Sequence, residues 1–378
     1  MNQDSSSRLL IALNAASSLS RDNVCRLGAS FHLWSTAREC SLDLAGSVGV
    51  KTSVLRQALA ITKTADKVAR LELEKASALG IQITTLLDAS YPRSLRDLDR
   101  PPPVLYLRGH LEEAPRISIV GSRKADPYGL EATRHFATGL VQEGLTVVSG
   151  LAVGIDTEAH RSALESGGRS IAILGCGLDL CYPLQNADLQ EELAVRGAIV
   201  SEFPLGTEPR PGHFPIRNRI IAALGAACLV VQAAHRSGSL ITARLALDLG
   251  REIYAVPGRI FDTRCLGSNA LIRDGAFPVQ RVGEILDTLP LAVKEQLASR
   301  NAERVSEKWP STPLPAPRDH RQLFETMAPG ECYTVEELAL KLEQPIETLL
   351  AALLELELGS WIERQPGPVF KRRVGRRG

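Results

Sequence analysis

The 378-residue sequence predicts an α/β protein built on a doubly wound parallel sheet, with a helical module before it and a winged helix after it. Three patterns carry that expectation. Between Arg116 and about Leu289, short runs rich in Val, Ile and Leu alternate with longer amphipathic segments, as strands buried on both faces and separated by helices do. From Leu9 to Gly80 the apolar spacing is helical and strand signals are missing. After Asn301 a proline-bearing polar stretch leads into three helix-forming segments and a hairpin. The expected domains are a helical domain at 1–85, the α/β domain at 86–290, a linker at 291–318 and the winged helix at 319–378.

In the first domain, Leu55 and Leu59 stand four residues apart and Val68 and Leu71 three apart, with breaks at Gly28, Gly46 and Gly49; short helices in a small bundle follow. Tyr91-Pro92 and Pro101-Pro102-Pro103 forbid helix and predict an extended connection before Val104 to Leu107. Strands are then expected at Ile117 to Val120, Thr146 to Val148, Ile171 to Leu174, Ala198 to Val200, Leu229 to Val231 and Glu252 to Val256. The intervening helices are expected at about Tyr128 to Glu143, Asp156 to Ser166, Asp188 to Val195, Arg217 to Ala223 and Ser239 to Leu249. Pro310, Pro313, Pro315 and Pro317 mark the linker as extended. Beyond it, His320 to Met327, Val335 to Leu342 and Pro345 to Leu358 read as helices. Trp361-Ile362-Glu363 and Pro368-Val369-Phe370 form the hairpin about a Gly367 turn, and Thr334 with Glu337 makes a capping box.

Composition narrows the function classes. With 44% hydrophobic and 23% charged residues the chain is globular rather than disordered. A formal net charge of +1 supplies no whole-molecule basic field, so any polyanion site must be local. The 7 cysteines are scattered without a Cys-x-x-Cys pair, which argues against a zinc site or a disulfide framework and for a reducing cytoplasm. The polar start and the lack of a long apolar run argue against secretion and membrane spanning.

In an open α/β sheet the ligand crevice lies beyond the carboxyl ends of the strands, and the residues there are distinctive. Gly121-Ser122-Arg123 follows the first strand of the α/β domain, Ser149-Gly150 to Asp156 the second, Gly175-Cys176-Gly177 the third, and Ser237-Gly238-Ser239 to Thr242 lies beyond Val231. A glycine after a strand often makes only a tight turn. Several together before helices favour an anion held by backbone amides and helix dipoles. Gly-x-Gly-x-x-Gly is absent, because Arg123 takes the place of the second glycine, and no Walker Gly-Lys-Ser/Thr occurs; no nucleotide cofactor and no metal are expected. Phe214-Pro215-Ile216-Arg217-Asn218-Arg219 opens a helix with two guanidinium groups that are expected to splay about its positive end and grip phosphate. With Arg123 they suit a polyanion backbone, and Phe214 or Tyr182 offers a base a stacking face. Asp156 and Glu202 are better read as a cap or arginine partners than as a general base, and His160 and His213 lack a linked nucleophile.

Taken in order, Gly-Ser-Arg, Ser-Gly-x-Ala-x-Gly-Ile-Asp, Phe-Pro-x-Arg-Asn-Arg, Ser-Gly-Ser-Leu-Ile-Thr-Ala, Val256-Pro257-Gly258 and Gly267-Ser268-Asn269-Ala270-Leu271-Ile272 resemble the DNA-processing protein A (DprA, or Smf) family. The resemblance implies an extended Rossmann-like domain between a SAM-like helical module and a winged helix. It implies a cytoplasmic, non-catalytic mediator that binds incoming single-stranded DNA in natural transformation, forms a homodimer through the Rossmann-like domain and loads RecA. Its implied DNA contacts are Gly121, Ser122, Arg123, Gly150, Arg217, Asn218, Arg219, Gly238 and Ser239. Where relatives have a lysine after Tyr182-Pro183 this chain has Leu184-Gln185, and Lys124 is the candidate replacement. Leu271 and Ile272 are offered as dimer surface, with core burial an equal explanation.

Two other readings compete. LOG-type nucleotide phosphoribohydrolases share the fold but carry Pro-Gly-Gly-x-Gly-Thr-x-x-Glu, and no glutamate follows the comparable Ser237 to Thr242 loop. A duplex-reading regulator needs a basic recognition helix, yet Pro345 to Leu358 contains Glu347, Glu355 and Glu357 and no lysine or arginine. That domain is therefore expected to bind protein or regulate the dimer, leaving the tail Lys371 to Arg377 for weak nucleic-acid contact.

Overall fold

The computed structural model describes residues 5–37, 41–307, 320–328, 331–358, 361–365 and 367–372. The chain divides into two compact units, 1–302 and 303–378.

The first unit opens with α1 (Ser5–Ala15), α2 (Arg21–Ala29), α3 (Phe31–Trp34), α4 (Leu42–Val48), α5 (Thr52–Thr62) and α6 (Ala65–Ala78). It continues through β1 (Gln82–Thr85), α7 (Arg93–Arg96), β2 (Val104–Gly109), β3 (Arg116–Val120), α8 (Pro127–Gln142), β4 (Thr146–Ser149), α9 (Ile155–Glu165) and β5 (Ser170–Leu174). Then follow α10 (Ala187–Arg196), β6 (Ala198–Ser201), α11 (His213–Leu224), β7 (Ala227–Val230), α12 (Gly238–Asp248), β8 (Glu252–Ala255), α13 (Leu266–Arg273), β9 (Phe277–Pro278), α14 (Val282–Thr288) and α15 (Leu291–Glu307).

Among the described residues one nine-stranded sheet runs in the order β1-β2-β6-β5-β4-β3-β7-β8-β9. The strands from β6 to β9 are parallel, and β1 and β2 close one edge antiparallel. This is the expected doubly wound sheet. Its central strands β4 to β7 are buried throughout, because alternate side chains enter layers on opposite faces. Val120, Val148, Ile171, Ile173 and Val200 pack with α11 and α12. Ile117, Ile119 and Val147 face the other way, toward α8 and α9.

The helical module is not a free-standing bundle. Leu10, Leu13, Leu27 and Trp34 share one core with Ala172 and Leu174 of β5 and Ile199 of β6. It covers a part of the sheet that a crossover helix would cover elsewhere in a doubly wound fold.

Three expectations are corrected here. The connection expected to be extended before Val104 contains α7, and Val104 to Leu107 lie in β2, paired with β1, so the sheet begins at Gln82 rather than after residue 85. Residues 291–307, assigned to a linker, are α15, whose Leu297 is buried against the same core as Ile285 and Leu289. The prolines Pro310, Pro313, Pro315 and Pro317 lie outside the described residues. Helix α11 starts at His213 rather than Arg217, since Pro215 falls in the first turn, where its missing N–H would have had no partner.

The second unit contains α16 (Arg321–Thr326), β10 (Cys332–Thr334), α17 (Val335–Leu342), α18 (Ile346–Leu358), β11 (Ile362–Gln365) and β12 (Val369–Arg372). Its sheet order is β10-β12-β11, so the expected hairpin gains a short third strand. Thr334 Oγ1 accepts from Glu337 N at 3.2 Å while the Glu337 carboxylate accepts from Thr334 N at 2.9 Å, completing the capping box. Phe324, Leu338, Leu349, Leu353, Ile362 and Phe370 form its core. No described helix is long and apolar enough to cross a membrane.

Candidate nucleic-acid interface

The strand order reverses between β3 and β7, whose crossovers leave in opposite directions. A crevice must open at the carboxyl ends of those two strands. It is there, with a volume of about 650 Å³, lined from one side by Gly121 to Lys124 and from the other by Arg236 to Ser239, with Phe214 and Arg217 between.

Close packing of the strand-end loops sets the glycines. A Cβ on Gly121 would fall 2.5 Å from Ile155 Cγ1, and Ile155 N donates to Ser122 O at 3.2 Å. Gly154 adopts φ +86° as it leads into α9, and a Cβ there would strike the Ser122 carbonyl. The β3 and β4 loops are thus locked together, and this lock presents Arg123 to solvent.

Arg123 and Lys124 are exposed, and neither has a carboxylate partner among the described residues. The Arg123 guanidinium carbon sits 5.1 Å from the Phe214 ring centroid, and the Tyr182 and Phe214 centroids are 5.4 Å apart. Cation and aromatic faces therefore adjoin. Leu184 is well exposed beside them.

Arg217 has a different place. It is buried in the crevice floor, donating to Gly150 O at 2.6 Å and to Ile173 O, with its Nε 3.2 Å from Asn218 Oδ1. Desolvation lowers its pKa to about 10 against the stabilising charge of Asp156. Burial likewise raises the Asp156 carboxyl, opposed by Arg217 and by hydrogen bonds from the Ser149 to Ala152 loop. The two charges influence one another inside the fold without an ion pair joining them. Gly150 lacks a side chain because a Cβ would lie 2.5 Å from Arg217 Cζ, so its glycine is explained by Arg217 rather than by an incoming ligand. Asn218 Nδ2 donates to Gly238 O at 3.3 Å, tying α11 to α12. Gly238 is exposed at the start of α12, and Ser239 N donates to Ser237 Oγ at 3.3 Å.

Arg219 departs from the sequence reading. Two residues along a helix turn the side chain by about 200°, so it leaves the crevice that Arg217 floors. It meets both Glu202 oxygens at 2.9 and 2.8 Å, and its Nη2 lies 3.3 Å from Cys25 Sγ. Burial opposes its charge, but the Glu202 carboxylate outweighs that and holds Arg219 above the ordinary guanidinium value. Asn14 of α1 donates to Glu202 O at 3.1 Å, and Arg21 reaches Asn14 Oδ1 at 2.8 Å. The expected splay of two guanidiniums about one helix end is thus replaced by one in the crevice floor and one paired with Glu202 beside Cys25 of the helical module.

The sequence reading passed over Arg236. It is an exposed crevice cation with no carboxylate partner among the described residues, and its signal was its position just before Ser237-Gly238-Ser239. Arg264 also lines the crevice but is engaged by Asp126 at 3.1 Å and Asp262 at 2.8 Å.

Of the groups weighed for acid–base chemistry, Asp156, His160 and Glu202 are buried. His160 is buried with Nδ1 2.6 Å from Ser170 Oγ, and desolvation followed by the charge of Arg217 lowers its pKa to about 3. His213 Nδ1 is 3.1 Å from Gly175 O, and its ring stacks on Phe203 at 4.3 Å. Glu202 pairs with Arg219, and Asp156 lies within the field of Arg217.

The family model described as DNA recombination-mediator protein A matches residues 82–290, and that of the DprA winged helix domain matches 307–368. Protein Smf of Synechocystis is 36% identical over 328 residues, covering 80% of this chain and 82% of its own. The X-ray structure of DNA processing protein A from Streptococcus pneumoniae superposes with a TM-score of 0.65 at 32% identity, covering 77% of this chain and 100% of that one. DNA processing protein A from Helicobacter pylori, in a structure described for its single-stranded DNA binding mode, gives 0.50 at 31% identity, covering 55% and 95%.

Proposed function

The chain belongs to the DNA recombination-mediator protein A (DprA/Smf) family, and from that premise we propose that its switch-point crevice binds single-stranded DNA by the phosphate backbone without catalysis. The observation that carries this is the charge arrangement. Arg123, Lys124 and Arg236 surround one crevice as exposed cations with no carboxylate partner among the described residues, while Asp156 is buried within the field of Arg217. A rim of uncompensated cations over a buried floor suits a continuous polyanion. The adjoining Tyr182 and Phe214 rings supply stacking that tolerates any base.

Gly121, Ser122, Gly238 and Ser239 bring backbone toward the strand, and Arg217, Asn218 and Gly150 hold the floor on which it rests. Arg219 is assigned to the scaffold. Delivery of the strand to RecA during natural transformation, a homodimer formed through the Rossmann-like domain and a cytoplasmic setting extend this reading from the family resemblance. Leu271 and Ile272, both half-buried, are the proposed dimer contacts.

Fluorescence anisotropy with oligo(dT) and with a hairpin duplex tests the proposal. Tighter binding of the single strand is expected, with no free base released from nucleoside monophosphates. Equal affinity for both DNA forms, or release of base, would overturn it.

A further inference from the structure

The winged helix carries an apolar ridge that its own core leaves uncovered. In α18, Leu349, Leu353 and Leu356 are buried. Ile346, Leu350 and Leu354 on the same helix remain 44%, 47% and 55% exposed. Residues four apart lie one above another on a helix face, so these three make a continuous strip. Glu347 stands three residues before Leu350 and Glu357 three after Leu354, which puts a carboxylate near each end of the strip. Glu343, at the end of α17, is exposed as well. No lysine or arginine occurs from Ile346 to Leu358.

Charge complementarity decides among the possible occupants. Duplex phosphates are repelled by an acidic helix. A second copy packed antiparallel on the same strip would set Glu347 of one chain against Glu357 of the other, a like-charge contact. A helix whose apolar face is bordered by lysine or arginine meets both the ridge and its acidic ends. We propose that α18 is a docking face for a basic amphipathic helix of a protein partner. The proposal deepens the reading of the winged helix as a protein-binding module and is independent of the single-strand site.

The test titrates a labelled synthetic leucine–lysine amphipathic peptide into the full chain, beside a leucine–glutamate peptide with the same apolar face. The basic peptide should bind at least about tenfold more tightly than the acidic one. Leu350→Ser with Leu354→Ser, and separately Glu347→Lys with Glu357→Lys, should each weaken the basic peptide at least about tenfold. All four side chains lie outside the core, and an unchanged thermal midpoint would confirm intact variants. Equal binding of the two peptides, or unchanged binding by the intact variants, overturns the proposal. So does a self-association or a duplex affinity of the wild type that disappears in the leucine variant, since the strip would then serve a second copy or DNA.

Discussion

Replacing Arg123 and Lys124 together by alanine removes two of the three exposed crevice cations that have no carboxylate partner among the described residues, and leaves Arg236. On a single strand each neutralised phosphate contributes about 0.7 to the slope of log affinity against log salt. Three contacts give a slope of about −2.1, an affinity loss of about 18-fold between about 50 and about 200 mM salt. One remaining contact gives about −0.7, a loss of about 2.6-fold over the same range. Both side chains are exposed, so the stability of the double variant should stay within about 0.5 kcal/mol of wild type. The assay is anisotropy of labelled oligo(dT) at several salt concentrations. Weaker binding with an unchanged slope would mean that Arg123 acts through packing on Phe214 rather than on phosphate. Unchanged affinity and slope would refute the crevice as the phosphate track.

Other substitutions separate scaffold from contact. Gly150→Ala forces Arg217 from its carbonyl partners, and urea titration should show a loss of about 1–3 kcal/mol; an unchanged midpoint would show that the floor can yield. Arg219→Ala leaves Glu202 buried and unpaired at 2% side-chain exposure, which should cost about 3–5 kcal/mol in the same assay. The folded fraction should keep the wild-type salt slope, and a reduced slope would return Arg219 to the DNA. His160 titrates at about 3 in the fold against an ordinary 6.5, so as pH falls the unfolded chain takes up its proton first. The stability this histidine contributes is complete above about pH 6.5 and is lost toward about pH 3, at about 1.4 kcal/mol per pH unit. Between pH 6.5 and 5 the wild type should therefore lose about 2 kcal/mol that His160→Asn does not lose, and equal losses would contradict the assignment.

The central strands and their helices were legible because a strand buried on both faces carries short runs of Val, Ile, Leu and Ala, and β4 to β7 are buried along their length with only Thr146, Ser149, Ser170 and Ser201 polar. The strand-end loops were legible for a related reason. Gly121 and Gly154 sit where another backbone or side chain occupies the Cβ position, and that demand leaves its mark on the sequence. Edge strands β1 and β2 were missed because polar residues and prolines flank them and their pairing is non-local. Helix α15 was missed because its moderately polar composition blends with the proline stretch after it, and only the burial of Leu297 against the core of α14 reveals its register.

The sequence by itself determined the central parallel strands and the location of the crevice, because those follow from periodicity and from which residues fit a tight turn. Tertiary structure alone decided the arginines. Helical geometry places Arg217 and Arg219 on nearly opposite faces, but which face meets the crevice depends on Glu202, Cys25 and Asn14, residues far apart in the chain. A buried guanidinium goes where a carboxylate and carbonyls can compensate it, and only the packed fold shows where those partners are.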